Sequence, residues 1–331
     1  LVTIAAPIEE RAPVGDNELL AVRAAELYYE DDKTQDEIGA ILGITRWKVG
    51  RLLTFARERG IVRIEIVHPR SRQPTLERQL RDRFGLVDAI VVAEAASGAG
   101  PQDRVARAAA DYLAGLALDT TSLGVSWGRT VNAVADHLQD GWARAISVVQ
   151  MNGGVSLTAN IDTAAATAVT IARKGGGNAA LLPSPAILER VETKRLIESD
   201  RTVAAVLDLA ARASVYLYSA GVATGGSALV DSGYLTRGDI TELVRRGAVG
   251  DVVGRYIDAE GVVVDEALDA RTIGIDINQL RAARTAIFVV AGDAKHEIAR
   301  AVVSRGLCTT LITDQATAVA LLHESTSKDK S

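Results

Sequence analysis

The chain has 331 residues, 48% of them hydrophobic and 24% charged, with a formal net charge of -5. That length and apolar share suit one large domain plus a smaller one, and so mild an acidic excess leaves a local basic patch free to govern encounters with a polyanion. The single cysteine, Cys308, excludes an intrachain disulfide and a cysteine metal cluster, and no stretch approaches the roughly 18 apolar residues of a membrane span.

The opening residues 1–15 lack a basic leader, so a cytoplasmic protein is expected, with no membrane partner, metal or cofactor. Residues 1–16 carry Pro7, Pro13 and Gly15 without a hydrophobic period and read as a flexible arm. Over residues 18–29, Leu19, Val22, Ala25, Leu27 and Tyr28 recur at helical intervals, with Asn17 placed as the cap. Thr34 stands three residues before Glu37, the capping-box spacing that satisfies the first free N–H groups of a helix, and Ile38, Ile41 and Leu42 give that helix a buried face. Gly43 supplies a tight turn, Ile44 plugs the crevice, and Thr45 caps a second helix running to about Arg59. This is helix-turn-helix spacing, and with a short strand or wing in residues 60–69 it defines a module over residues 17–69.

On the second helix Val49, Leu52, Leu53 and Ala56 repeat at helical intervals, which leaves Arg46, Trp47, Lys48 and Arg51 on outward or N-terminal positions. Between Thr45 and Arg63, Arg46, Lys48, Arg51, Arg57, Arg59 and Arg63 face the single acid Glu58. Such a helix suits a DNA major groove, where cations and helix N-termini hold phosphates and the first-turn side chains reach base edges. The candidate DNA-binding set is Thr34, Thr45, Arg46, Trp47, Lys48 and Arg51. The plainer alternative is an amphipathic helical hairpin with a solvated basic face. Trp47, outside the apolar register, is either a surface aromatic that meets a base, sugar or partner, or packs on the first helix.

Residues 70–85 read as a linker helix, and from residue 86 apolar strands alternate with alanine-rich helices. Strands are predicted over residues 87–94, 122–127, 145–154, 178–184, 214–222, 285–292 and 307–313, with helices such as 102–118, 130–138 and 294–304 between them. Strands apolar throughout must be covered on both faces, so residues 86–323 form a Rossmann-like α/β domain with a mainly parallel sheet, followed by a tail over residues 324–331. Ligands of such sheets gather beyond the carboxyl ends of the strands. Three loops lie there: residues 124–130 (GVSWGRT), with Ser126, Gly128, Arg129 and Thr130 suited to a phosphate; residues 150–154 (QMNGG), with Asn152 and Gly153; and residues 291–301, with Asp293, Lys295 and His296.

The order of the helix-turn-helix, "GVSWGRT", "NGG", "SGYL", "GAVGD", "AEG", "TIGID" and "AGDAKHEIARA" resembles the SorC family of bacterial transcriptional regulators, from about Glu18 to Leu322. The resemblance implies an N-terminal DNA-binding domain and an effector domain similar to the glucosamine-6-phosphate deaminase and ribose-5-phosphate isomerase fold. It also implies a homotetramer that binds double-stranded operator DNA under control of a sugar, sugar phosphate or polyol. By the same resemblance, Ser126, Gly128, Arg129 and Thr130 match the phosphate loop, Asn152 and Asp162 face the sugar, and Asp251 and Lys295 are a ligand-side acid and base. Arg129 stands where threonine is frequent, which either strengthens phosphate binding or marks an unphosphorylated ligand such as a polyol. Asn152 stands where some relatives have lysine or arginine, and an amide forms no imine with an aldehyde sugar.

A sugar-phosphate isomerase or deaminase with an accessory DNA-binding domain is the rival expectation, because one fold hosts many functions. Such chemistry needs a positioned base and a partner acid. Of the four histidines only His296 falls near the candidate loops. The balance favours a regulator over an enzyme.

Overall fold

The computed structural model describes residues 2–4, 16–64, 72–94, 99–116, 118, 121–154 and 164–323. The chain forms two compact units, Leu1–Ser71 and Arg72–Ser331.

The first unit runs β1 (Val2–Ile4), α1 (Asp16–Tyr29), α2 (Gln35–Leu42), α3 (Arg46–Glu58) and β2 (Val62–Ile64). Its core gathers Ala21, Ala24 and Leu27 of α1, Ile38 of α2, and Val49, Leu52, Leu53 and Ala56 of α3. The Thr34 hydroxyl accepts the Glu37 N–H at 3.3 Å while the Glu37 carboxylate accepts the Thr34 N–H at 2.8 Å, so the expected capping box starts α2. Gly43 ends it in the left-handed region at φ 66°, and the turn is so close that a Cβ on Gly39 would meet the Ile44 carbonyl oxygen at 2.8 Å.

Three local expectations are corrected. Ile41 is 55% exposed rather than on the buried face of α2. Ile38, Gly39 and Leu42 define the inward side, and at 100° per residue Ile41 falls well outside it. Helix α1 starts at Asp16, which places Asn17 inside the first turn instead of at the cap. Within the expected arm, Val2–Ile4 is a strand that pairs antiparallel with β2, Val2 opposite Ile64. A lone β2 would leave its edge N–H and C=O groups unpaired, and an extended segment satisfies them. The rest of the arm, the wing beyond Ile64 and the tail lie outside the described residues.

The second unit opens with α4 (Pro74–Phe84), β3 (Asp88–Val92), α5 (Pro101–Gly115), β4 (Ser122–Val125), α6 (Arg129–His137), β5 (Ser147–Gln150), α7 (Ala164–Lys174) and β6 (Asn178–Ala180). It continues with α8 (Val191–Ser199), α9 (Arg201–Ala211), β7 (Val215–Tyr218), β8 (Ala220–Val222), α10 (Ala228–Asp231), α11 (Arg237–Arg245), β9 (Gly250–Val252) and β10 (Arg255–Ile257). It closes with α12 (Glu266–Asp269), α13 (Ile277–Ala282), β11 (Ala286–Val290), a 3-10 turn (Asp293–Lys295), α14 (His296–Ser304), β12 (Thr310–Asp314) and α15 (Gln315–Leu322). The helix read as a linker is α4, and its Leu80 is fully buried in the core of this unit.

Seven strands form one sheet in the order β3-β12-β11-β7-β4-β5-β6, each neighbouring pair parallel. Alternate side chains feed two cores. Ile90, Leu123, Val148, Leu217, Val289 and Ile312 pack with Ala106, Ala109, Val131, Val134 and Ile171 of α5, α6 and α7. Val91, Val149, Tyr216, Phe288 and Val290 pack with Leu80, Val206, Val302 and Leu321 of α4, α9, α14 and α15. Two covered faces explain why the strands are apolar throughout.

From β4 the chain steps outward through β5 and β6, then returns on the other side of β4 to β7, β11 and β12. The order therefore reverses between β4 and β7, and a crevice opens outside their carboxyl ends. The single strand expected over residues 214–222 is two: β7 belongs to the large sheet, while β8 joins β9 and β10 in an antiparallel sheet. Ser219 sits at the break, at the crevice.

Candidate functional site

On the first unit, α3 turns Arg46, Lys48 and Arg51 to solvent, and Trp47 is 84% exposed, so its packing alternative is set aside. Gln35, Arg46, Trp47, Gly50, Arg51, Thr54, Phe55 and Glu58 line an open groove of about 790 Å³. The Thr45 hydroxyl accepts the Lys48 N–H at 3.3 Å, so Thr34 and Thr45 both act within the fold as caps that fix where the helices begin. Arg46 Nη1 lies 3.5 Å from Asp36 Oδ2 with both side chains exposed, a pair weak enough to exchange for a phosphate.

On the second unit, a cavity of about 500 Å³ opens at the β4/β7 switch point. Part of its lining is positive. Gly128, at φ 131°, adopts a backbone reserved for glycine and leads into α6, whose first turn has no side-chain cap, so its free N–H groups carry partial positive charge. Arg129 and Thr130 open that helix, and Lys295 reaches in from the 3-10 turn after β11, its Nζ 3.5 Å from Thr130 Oγ1. Burial pulls the Lys295 ammonium below the usual lysine value; the Asp251 carboxylate opposes that shift and the Arg129 cation adds to it.

Asp251 of β9 faces the cavity from the antiparallel sheet, opposite Gly221 of β8. A Cβ on Gly221 would lie 1.9 Å from Asp251 Oδ1, so only glycine leaves the carboxylate its place. Burial pushes the carboxyl up to about 6, against the Gly254 N–H, which donates to Oδ2 at 3.2 Å, and against the Lys295 charge. Asn152 lies just beyond β5, its backbone bridged to Gly274 and its carbonyl accepting from Gln150 Nε2 at 2.8 Å. Asn152 Oδ1, Ser126 Oγ and Ser219 Oγ are buried at this cavity with no hydrogen-bond partner among the described residues. Such atoms are costly to leave unmatched, and together they suit a ligand rich in hydroxyls.

Ser126, Gly128, Arg129, Thr130, Asn152, Asp251 and Lys295 thus share one cavity wall, although they come from four separate stretches of chain. Gly153 does not line it; a Cβ there would strike the Pro185 carbonyl oxygen at 2.1 Å, and its own carbonyl accepts the Trp127 indole N–H at 2.8 Å, so it shapes the wall from behind. Asp162 lies outside the described residues. The wall also holds Gln102, Trp127, Ser219 and Gly221, which the sequence reading left out.

The family described as "Putative sugar-binding domain" matches residues 68–323. The deoxyribonucleoside regulator of Bacillus subtilis is 30% identical over 310 residues, covering 93% of this chain and 99% of the relative. The chain belongs to the SorC family. The sorbitol operon regulator of Klebsiella pneumoniae is also 30% identical, over 93% of this chain and 98% of its own. The crystal structure of full-length SorC from the same organism superposes with a TM-score of 0.69, at 27% identity, over 93% of this chain and all of the other. This SorC-family chain is a DNA-binding transcriptional regulator with a sugar-binding domain over residues 68–323.

Proposed function

We propose that the cavity at the β4/β7 switch point binds a sugar, sugar phosphate or polyol, and that its occupancy sets the affinity of α3 for operator DNA. The observation that carries this reading is the meeting, in one cavity, of cationic groups (Arg129, Lys295 and the start of α6) with groups that match hydroxyls (Asp251, Asn152, Ser126 and Ser219). Relatives are named a deoxyribonucleoside regulator, a sorbitol operon regulator and an erythritol catabolism regulatory protein, and the compounds in those names all carry more than one hydroxyl. The same relatives are named as regulators, which supports binding without turnover.

The working assembly in this reading is a homotetramer, a dimer of dimers. Paired recognition helices then meet half-sites roughly 34 Å apart, and effector binding shifts that spacing. A coupling of about 1 to 3 kcal/mol between the two ligands is typical. A thermal-shift screen of free and phosphorylated pentoses, hexoses and polyols tests the reading, since a compound at about 100 times its Kd adds roughly 2.7 kcal/mol of apparent stability. The hit must also change operator affinity and remain chemically unaltered after incubation. A stabilising compound that leaves DNA binding untouched, or that is converted to product, overturns it.

A further inference from the structure

We propose that Gly50 is the point where the recognition helix touches base edges in the major groove, and that its missing side chain sets operator specificity; this rests on the DNA-binding reading above. Helix α3 carries its buried residues on one stripe, Val49, Leu52, Leu53 and Ala56. Gly50 lies four residues after Arg46, three after Trp47 and four before Thr54, so it lines the groove on the side of the helix that faces Gln35, between the buried stripe and the outermost residues Trp47 and Arg51.

Glycine is the poorest helix former after proline, so one in a helix interior weakens the helix relative to alanine. The first unit offers a direct comparison. At Gly39 the reason is internal, because a Cβ would meet the Ile44 carbonyl oxygen at 2.8 Å. At Gly50 an added Cβ would meet only the end of the flexible Gln35 side chain, at an ordinary 3.5 Å, and the backbone is plain helix. Nothing among the described residues demands glycine there. Thr54 spends its hydroxyl on the Gly50 carbonyl at 3.1 Å, so that neighbour presents no free donor to the groove.

In this proposal the glycine serves what the face binds. With the exposed cations Arg46 and Arg51 close by, a bare backbone on this side of the face lets the helix settle nearer one wall of the DNA groove, and lets the side chains of Arg46, Trp47 and Arg51 reach base edges they would otherwise miss. Sequence discrimination, rather than phosphate attraction, is what a methyl at this point removes.

The test uses the full chain and a duplex enriched by it from a random-sequence library, with a scrambled duplex of equal length as control. Gly50→Ala is expected to raise the thermal midpoint, to weaken binding to the enriched duplex at least tenfold, and to change binding to the scrambled duplex, and its salt dependence, by less than twofold. Gly50→Ser is expected to lose the same discrimination. Binding of Gly50→Ala to the enriched duplex within twofold of wild type overturns the proposal, as does an equal loss on both duplexes. If the wild-type chain enriches no duplex, the DNA-binding reading itself fails and takes this inference with it; enrichment followed by an unaffected alanine variant removes the inference alone.

Discussion

Asp251 is held in a folded state that disfavours its charge, and this makes a prediction of unusual sign: Asp251→Asn should stabilise the free protein at neutral pH. The carboxyl is raised from 3.8 to about 6, chiefly by burial. For an acid whose folded value is raised, stability is full below the unfolded value and is lost as pH climbs through the folded one. At about 1.36 kcal/mol per unit, the roughly two-unit shift costs about 3 kcal/mol once pH exceeds 7, but only about 1 kcal/mol at pH 4.5. Asparagine fits the same space, keeps an acceptor for the Gly254 N–H, and carries no charge to bury. The carboxylate faces a cavity that admits water, so about 1 to 3 kcal/mol is the expected gain at pH 7.5, a rise of a few degrees in thermal midpoint for a domain of this size. The assay is paired thermal or urea unfolding of both proteins from pH 4.5 to 7.5, with the advantage of the variant growing across that range. The same variant should weaken binding of the compound identified by thermal shift, because a carboxylate is the stronger acceptor for its hydroxyls. A variant less stable than wild type at pH 7.5, or an advantage that does not change with pH, would refute the assignment of a penalised charge to this site.

Other substitutions separate the parts of the molecule. Gly221→Ala should displace the Asp251 carboxylate, since the new Cβ would sit 1.9 Å from Oδ1; calorimetry should show effector affinity falling more than tenfold while circular dichroism is retained. Trp127→Phe removes the indole N–H donated to the Gly153 carbonyl at 2.8 Å and should cost about 1 to 2 kcal/mol in urea unfolding. Arg51→Ala should cost about 1 to 3 kcal/mol of operator affinity by fluorescence anisotropy and leave the effector thermal shift unchanged; an equal effect on both would contradict a division of labour between the two units.

The sequence made the first unit legible because its signals are local. Thr34 with Glu37, Gly43 and Thr45 each act within one helical turn, and the structure uses all of them where expected. The pairing of Val2–Ile4 with β2 was hidden, since it joins stretches about sixty residues apart in sequence and neither carries a turn signal toward the other. In the second unit the covered sheet followed from strands apolar on both sides, and the wall residues of the 124–130 loop followed from their place at a strand end. Ser219 was masked for a physical reason: it lies between two short runs that are each strand-like, and only their membership of different sheets reveals a break there. Gln102 and Gly221 had no local signal, because a first-turn glutamine and a strand glycine acquire meaning only when Gly292 and Asp251 are brought against them.

The cavity gathers an uncommon share of unmet chemistry. Ser126 Oγ, Asn152 Oδ1 and Ser219 Oγ lack partners there among the described residues, the Asp251 carboxyl is pushed up, and the Lys295 ammonium is pulled down. These groups belong to separate substructures: the β4–α6 loop, the end of β5, the β8–β9 sheet and the turn after β11. No single loop can satisfy them, whereas one polyhydroxylated ligand can, provided all four are held in register around it. Binding energy is then contingent on the mutual arrangement of those substructures, which is the condition for a ligand to bias a conformational equilibrium. Hydrogen exchange should therefore show the thermal-shift hit protecting residues 126–133, 219–227, 250–255 and 291–296 together, with comparable concentration midpoints. Protection confined to the 126–133 segment would mean an anion resting on the start of α6 and no more, with no bias on the arrangement of the four substructures.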